Sequence, residues 1–186
     1  MTRSSEQYIA ALDDLAGGNP RHLYKITDHD EIPPVYAVIY NDTPESGHTT
    51  GFTFGLSSAN HADWVYSRPE LMISVKSTDH SWAICAGEIV RNWRHDNSFL
   101  QGTVLHFRQR IVDTCPMTSF LIFTCDLLEP ELQRIPLADR TVHLSQLYPI
   151  YEEEAPLLLE IGLEKFFFKL GIDFSDVDRP SAARKD

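Results

Sequence analysis

A change from strand to helix periodicity near the middle of the chain constrains the fold more than any other feature. In residues 68–107, RPELMISVKSTDHSWAICAGEIVRNWRHDNSFLQGTVLHF, Leu71, Ile73 and Val75 alternate with Met72, Ser74 and Lys76. A period of two with β-branched residues predicts a strand with one buried face. Ser77, Thr78 and Asp79 then supply turn and N-cap chemistry. Trp82, Cys85, Ala86, Ile89, Val90 and Trp93 recur at the spacing of one helix face, leaving Ser81, Glu88, Arg91, Asn92 and Arg94 for water. Residues 95–98 close that helix, and Gly102 precedes a second short strand at 103–107.

The flanking segments predict a sheet for this unit to join. Ser4 and Gln7 form a capping-box start for a helix with Tyr8, Leu12 and Leu15 on one face, and GGNP at 17–20 stops it. Residues 22–26 alternate as a short strand, and residues 28–34 form a polar loop. The apolar run 35–40 is expected in a central strand buried on both faces. Residues 51–57 follow as a strand with Phe52, Phe54 and Leu56 inward, which completes a long-looped hairpin. Residues 118–128 are the longest apolar strand candidate, and Val142, Leu144 and Leu147 mark a last short strand. Residues 152–170 predict one helix, with Glu152, Glu153 and Glu154 favoured at its start by the dipole. Leu159, Leu163, Phe166 and Leu170 are its expected buried stripe. The sum is an α/β (α+β) sandwich, a mixed and mostly antiparallel sheet of about seven strands flanked by about three helices. The strand–helix–strand unit should supply one parallel relationship. At 186 residues the chain is one domain's worth. Residues 1–175 are expected to form a single domain, and the polar residues 176–186 a disordered tail.

Charge limits the partners. The formal net charge is −11, with 27 acidic against 16 basic residues. Nucleic acid and anionic membranes require a basic footprint, so neither is expected as a partner, whereas a basic protein is. No apolar signal core opens the chain and no apolar run is long enough to span a bilayer, which predicts a soluble, cytoplasmic protein. Cys85, Cys115 and Cys125 form no C-x-x-C pair and read as buried free thiols.

Reactive chemistry is hard to find. There is no glycine-rich phosphate loop and no G-x-S-x-G elbow. The eight histidines are scattered, with no pair at the helical spacing of a zinc site. His61 with Asp63, and His95 with Asp96, read first as turn formers. Cys115 with His106 lacks an orienting third group. No catalytic, cofactor-binding or metal-binding residue is therefore predicted. The alternative is a small hydrolase or metal-dependent enzyme using the His61/Asp63 loop. Binding features stand out more. Trp64 and Tyr66 lie in an irregular, polar segment, where they either form interface anchors or fold back over one end of the sheet. Trp93 closes the helix stripe and reads as core.

Three stretches also carry a family resemblance. The order RPEL, strand, Trp-started helix and N-S-F-L-x-G-T-V-L resembles the suppressor of fused domain family. So do residues 39–56, a strand and loop leading into GFTFGLS, and residues 147–166, LYPIYEEEAPLLLEIGLEKF, with their P-I-Y-x-x-E segment and amphipathic helix. The resemblance runs from residue 23 to residue 170 and implies an α/β sandwich that binds protein without catalysis. In animal relatives a peptide of a Gli-type transcription factor is gripped beside the corresponding helix end. The aromatic there matches Trp93, and an acidic residue there matches Thr103. This chain keeps the aromatic and lacks the acid, and its length leaves no room for the second domain that closes over the peptide. Both differences count against Gli-type binding. Single-domain members resemble bacterial immunity proteins of polymorphic toxin systems. The implied function is stoichiometric occlusion of a basic toxin domain by an acidic face, with Trp64, Tyr66, Trp93 and Thr103 as the candidate protein-binding residues.

Overall fold

The computed structural model describes residues 3–27 and 33–183, so most of the loop predicted at 28–34 lies outside the described residues. The chain runs α1 (Arg3–Leu15), β1 (Arg21–Lys25), β2 (Tyr36–Asn41) and β3 (Thr49–Phe54), then a single 3-10 turn at Leu56–Ser58. Next come β4 (Arg68–Val75), α2 (Ser81–Trp93), β5 (Val104–His106), β6 (Ser119–Phe123), β7 (Arg134–Pro136) and β8 (Thr141–Ile150). Two short helices, α3 (Glu154–Ile161) and α4 (Leu163–Lys169), follow. The strands form one open mixed sheet in the order β1-β2-β3-β4-β8-β6-β5, with β7 paired to β8. Every ladder among the described residues is antiparallel except β4 with β8, where residues 68–72 run beside residues 142–146. This is the predicted α+β class. The strand–helix–strand unit does yield two strands of one direction, but β8 and β6 stand between β4 and β5.

The period of two sorts side chains into cores on opposite faces of the sheet. On one face Ile39 of β2, Leu71, Ile73 and Val75 of β4, and Leu147 of β8 meet the α2 stripe of Trp82, Cys85, Ala86, Ile89 and Val90. On the other, Val38, Phe52, Met72, Val142 and Leu144 meet Tyr8 and Leu12 of α1. Farther along that second face Leu121, Tyr148 and Ile150 meet Leu158, Phe166 and Phe167. β4 is thus buried on both faces rather than one, because α1 covers the side that Met72 occupies. The helix α2 lies close against β3. A Cβ added to Gly51 would stand 2.2 Å from Ala83 Cβ, and one added to Gly87 would meet the flexible tip of Ile26 at 2.6 Å.

Several expectations are corrected. β6 ends at Phe123, since the Tyr148 hydroxyl donates to the Thr124 carbonyl (2.7 Å) and Asp126 Oδ1 (2.9 Å) and draws the chain out of the sheet. β8, expected to be short, is the longest strand at 10 residues, and the short β7 is an addition. Leu56 belongs to the 3-10 turn and enters the α2-side core, opposite Phe52. Ser4 and Gln7 do not cap each other. The Ser4 hydroxyl donates to Asp139 Oδ1 (2.6 Å), and Gln7 Oε1 accepts from the Ala138 N–H (2.9 Å). Arg94, expected in water, is 2% exposed and donates to the Pro33 carbonyl. The single helix predicted at 152–170 is broken at Gly162, whose φ of 82° ends α3. The break resets the helical phase, so Phe166 is buried while Leu159 is 86% exposed and Leu170 39%.

The segment after residue 175 packs as well, in contrast to the disordered tail predicted there. Val177 and Arg179 are buried. Glu154, expected in the first turn of the helix as a partner of its dipole, is fully buried, and the Arg179 guanidinium donates to both its oxygens (2.6 and 2.8 Å) and to the Pro149 carbonyl (3.2 Å). The same guanidinium lies over the rings of Tyr151 and Phe174. The Tyr151 hydroxyl donates to the Arg179 carbonyl, and the Ala182 N–H to Glu154 Oε1. A partner 25 residues away is what turns a helix-start carboxylate into a buried ion pair. No helix among the described residues is long and apolar enough to cross a membrane.

Two stability measurements check this packing. Gly51→Ala should cost about 1–3 kcal/mol by overpacking a rigid helix–strand contact. Gly87→Ala should cost less, because the Ile26 side chain can turn aside; urea midpoints of the two variants compare them directly. Arg179→Met strands a buried carboxylate and should cost about 3–5 kcal/mol. It should also open residues 176–183 to limited proteolysis that the wild type resists.

Candidate functional site

The turn that precedes the loop bearing Trp64 and Tyr66 is held from below by a buried carboxylate. Glu70, on the second face of β4, is fully buried. Its Oε1 accepts from the N–H groups of Gly55 (2.9 Å) and Ser57 (2.9 Å) and from the Ser57 hydroxyl (2.7 Å). Its Oε2 accepts from the Thr53 hydroxyl (2.7 Å) and the Leu56 N–H (3.3 Å). The turn can wrap this closely because Gly55 sits at φ 133°, where an added Cβ would be 2.6 Å from the Pro34 carbonyl oxygen. Burial pushes the Glu70 carboxyl above the ordinary glutamate value, and the donors from Thr53, Gly55 and Ser57 pull only partly back. Arg68 ties down the far side of the turn, donating to the carbonyls of Ser57 (3.1 Å) and Ala59 (3.3 Å) and to Asn60 Oδ1 (2.9 Å). The RPEL and FGLS stretches are thus two halves of one clamp.

Beyond the clamp, residues 61–67 meet the loop that follows α2. Trp64 is half-buried; its Nε1–H donates to the Ser98 carbonyl (2.8 Å), and its ring packs beside His61 at 5.6 Å. The second loop is shaped by Asn97, whose Oδ1 accepts from the Phe99 N–H (2.7 Å) and holds Phe99 at φ 53°. Phe99 turns into the core and Leu100 outward, 50% exposed. The two loops and the side of β8 at His143 and Ser145 enclose a cavity of about 270 Å³. Val65 and Tyr66 stand at its mouth, 72% and 96% exposed. Burial lowers the pKa of His143, and Arg134 adds to that, favouring a neutral ring there.

The structure therefore brings Trp64 and Tyr66 together, and of the two only Tyr66 stands fully in solvent. Trp93 is half-buried, packed edge-to-face on Phe107 (6.4 Å) against the α2-side core, as its place in the stripe predicts. Thr103 is half-buried before β5, its carbonyl accepting from the Ile122 N–H (2.9 Å). Neither lines the cavity. Val65 and Leu100 were missed by sequence reasoning. Their signal was an apolar residue inside a turn-forming stretch, Ala62–Asp63 to Ser67 and Asn97–Ser98 to Gln101–Gly102. His61 and Asp63 form a turn, with the Asp63 N–H donating to His61 Nδ1 (3.3 Å). Among the described residues no three metal-ligating side chains converge. Cys115 and His106 point to different partners, the Val177 carbonyl and Glu152.

Comparison with known proteins places the fold. The family model described as Suppressor of fused protein (SUFU) matches residues 31–180. A suppressor of fused homologue from Neisseria gonorrhoeae FA 1090 superposes with a TM-score of 0.74 at 16% identity, over 98% of both chains. A chain of the Sufu–Fu complex gives 0.71 at 15% identity, over 97% of this chain and 92% of that one. Drosophila Suppressor of Fused gives 0.69 at 14% identity, over 97% of this chain and 51% of that one. No curated protein sequence matches the chain.

Glu70 supplies the test of the clamp. Its raised pKa means that the folded chain holds the proton more tightly than the unfolded chain. The stability contributed by the protonated form is therefore present below the unfolded value and is lost as pH rises through the folded one. Glu70→Gln should abolish that slope in urea midpoints measured across the acid range. At neutral pH it should cost about 1–3 kcal/mol, because the amide NH₂ faces backbone donors.

Proposed function

The chain belongs to the suppressor of fused family, and from that premise we propose that it is a non-catalytic protein-binding domain whose partner docks over the cavity between residues 61–67 and 98–101. One observation carries the reading. A tyrosine 96% exposed, flanked by exposed Val65 and Leu100, stands at the rim of a preformed cavity, and such aromatics are typical anchors of protein interfaces. Trp64 holds the loop in place from beneath, Trp93 supports the second loop at its helix end, and Thr103 follows that loop.

The finer reading is that of an immunity protein acting in the cytoplasm. It neutralises a basic toxin domain by covering its active site, which requires shape and charge but no reactive group. A net charge of −11 speeds and selects such an encounter. The buried clamp and rigid sheet suit it too, since a prearranged surface loses little freedom on binding.

Affinity capture from the native host, with the tagged chain as bait, should recover one basic protein in stoichiometric amount. The double variant Tyr66→Ala/Leu100→Ala should weaken that complex by about tenfold or more, with stability unchanged to within about 0.5 kcal/mol. Undiminished affinity in the double variant would move the interface away from this cavity. A bait recovered alone would sink the immunity reading.

A further inference from the structure

A second cavity, of about 360 Å³, opens between the end of β6, the middle of β8 and the segment after α4. Its chemistry differs from that of the first. The inner wall is aromatic: Phe167 and Phe174 stack at 4.9 Å with 6° between their planes, and Tyr148 meets both edge-on at 4.8 and 5.6 Å. This cluster already tolerates a cation, since the Arg179 guanidinium lies over Phe174 at 5.3 Å. Gln146, 3% exposed, also lines the cavity, and its Oε1 has no hydrogen-bond partner. A half-turn of the amide about its last torsion presents that oxygen to the cavity, where it can accept from an entering N–H group. At the mouth, the exposed Asp126 carboxylate accepts from the Tyr148 hydroxyl (2.9 Å). On the opposite side Asp173 is occupied by Lys76 (2.5 Å) and Ser175 (2.6 Å). Leu127 and Phe168 flank the opening, 42% and 63% exposed.

A rim carboxylate, an unpaired amide acceptor and an aromatic wall repel anions and suit a planar cation with several donors. We infer that this cavity receives an arginine side chain of a basic protein partner. The guanidinium enters past Asp126, away from Lys76, donates to Gln146 Oε1 and packs beside the aromatic wall, while Leu127 and Phe168 cover the apolar neighbours of that arginine. The site needs a basic partner but not a toxin, and it lies apart from the cavity at Tyr66.

The test contains no partner, so its outcome is independent of the immunity reading. The isotope-labelled chain is titrated with N-acetyl-arginine methylamide and with the neutral citrulline analogue, following the Gln146 side-chain amide and the Phe167 and Phe174 rings by NMR. The arginine probe should give saturable shifts at these groups with a dissociation constant in the millimolar range, about tenfold tighter than citrulline. Asp126→Asn should weaken it by roughly threefold, and the near-isosteric Gln146→Met by about tenfold. Asp126 is exposed, so its variant keeps the fold and stands as the independent check if Gln146→Met unfolds. Equal response to the two probes, shifts indifferent to Asp126→Asn, or no response at Gln146 and Phe174 at about 100 mM probe would overturn the assignment.

Discussion

Five rungs of parallel ladder, residues 68–72 against 142–146, join the first half of the chain to the second. On one side lie β1 to β4, each hydrogen-bonded to its neighbour in sequence; on the other lie β5 to β8. Without this seam there would be two half-sheets, each with an apolar face and an open edge. A parallel seam is stable when both its faces are covered, and that requirement explains the placement of the helices. α2 seals the face of Leu71 and Leu147, while α1 seals the face of Met72 and Leu144. Farther along that second face, α3 and α4 cover Tyr148 and Ile150.

Two buried carboxylates then fasten the irregular segments to this frame by different means. Glu70 is satisfied by hydroxyl and backbone donors, which only partly offset the burial that raises its pKa and which shape the turn at residues 55–57 around it. Glu154 is met by a guanidinium, and the ion pair draws in residues 176–183. Either carboxylate without its donors would be costly to bury, so each loop or tail is held as firmly as the group it satisfies. Both lie in stretches that carry the family resemblance. In this chain those stretches do structural work, and the surfaces available to a partner lie on the loops that they fix.

The side chains that could react are mostly withdrawn. All three cysteines are buried, and burial pushes their thiols up, that of Cys125 to about 11. What the surface offers instead is shape, exposed aromatic and aliphatic groups, and acidity. Tyr66 and Phe168 each stand beside a cavity, at separate places on the fold. That distribution suits recognition of another macromolecule, with a different anchor at each position.

The class of fold, the α2 stripe, the buried β2 run and the long-looped hairpin are legible in the sequence, because each depends on a local period that burial enforces. Through its motifs the sequence also pointed to the family, and by composition to an acidic surface. What it could not determine was every relation made across distance. The β4–β8 seam joins residues more than seventy positions apart, Glu154 meets Arg179 across 25 residues, and the cavity at Tyr66 exists because two loops and β8 converge. The same physics explains the failures at the C-terminus. A continuous apolar pattern at 152–170 hid the break at Gly162, and a polar tail concealed one arginine with a buried partner. Local patterns decide which segments form helices and strands; which of their side chains meet depends on how the segments pack.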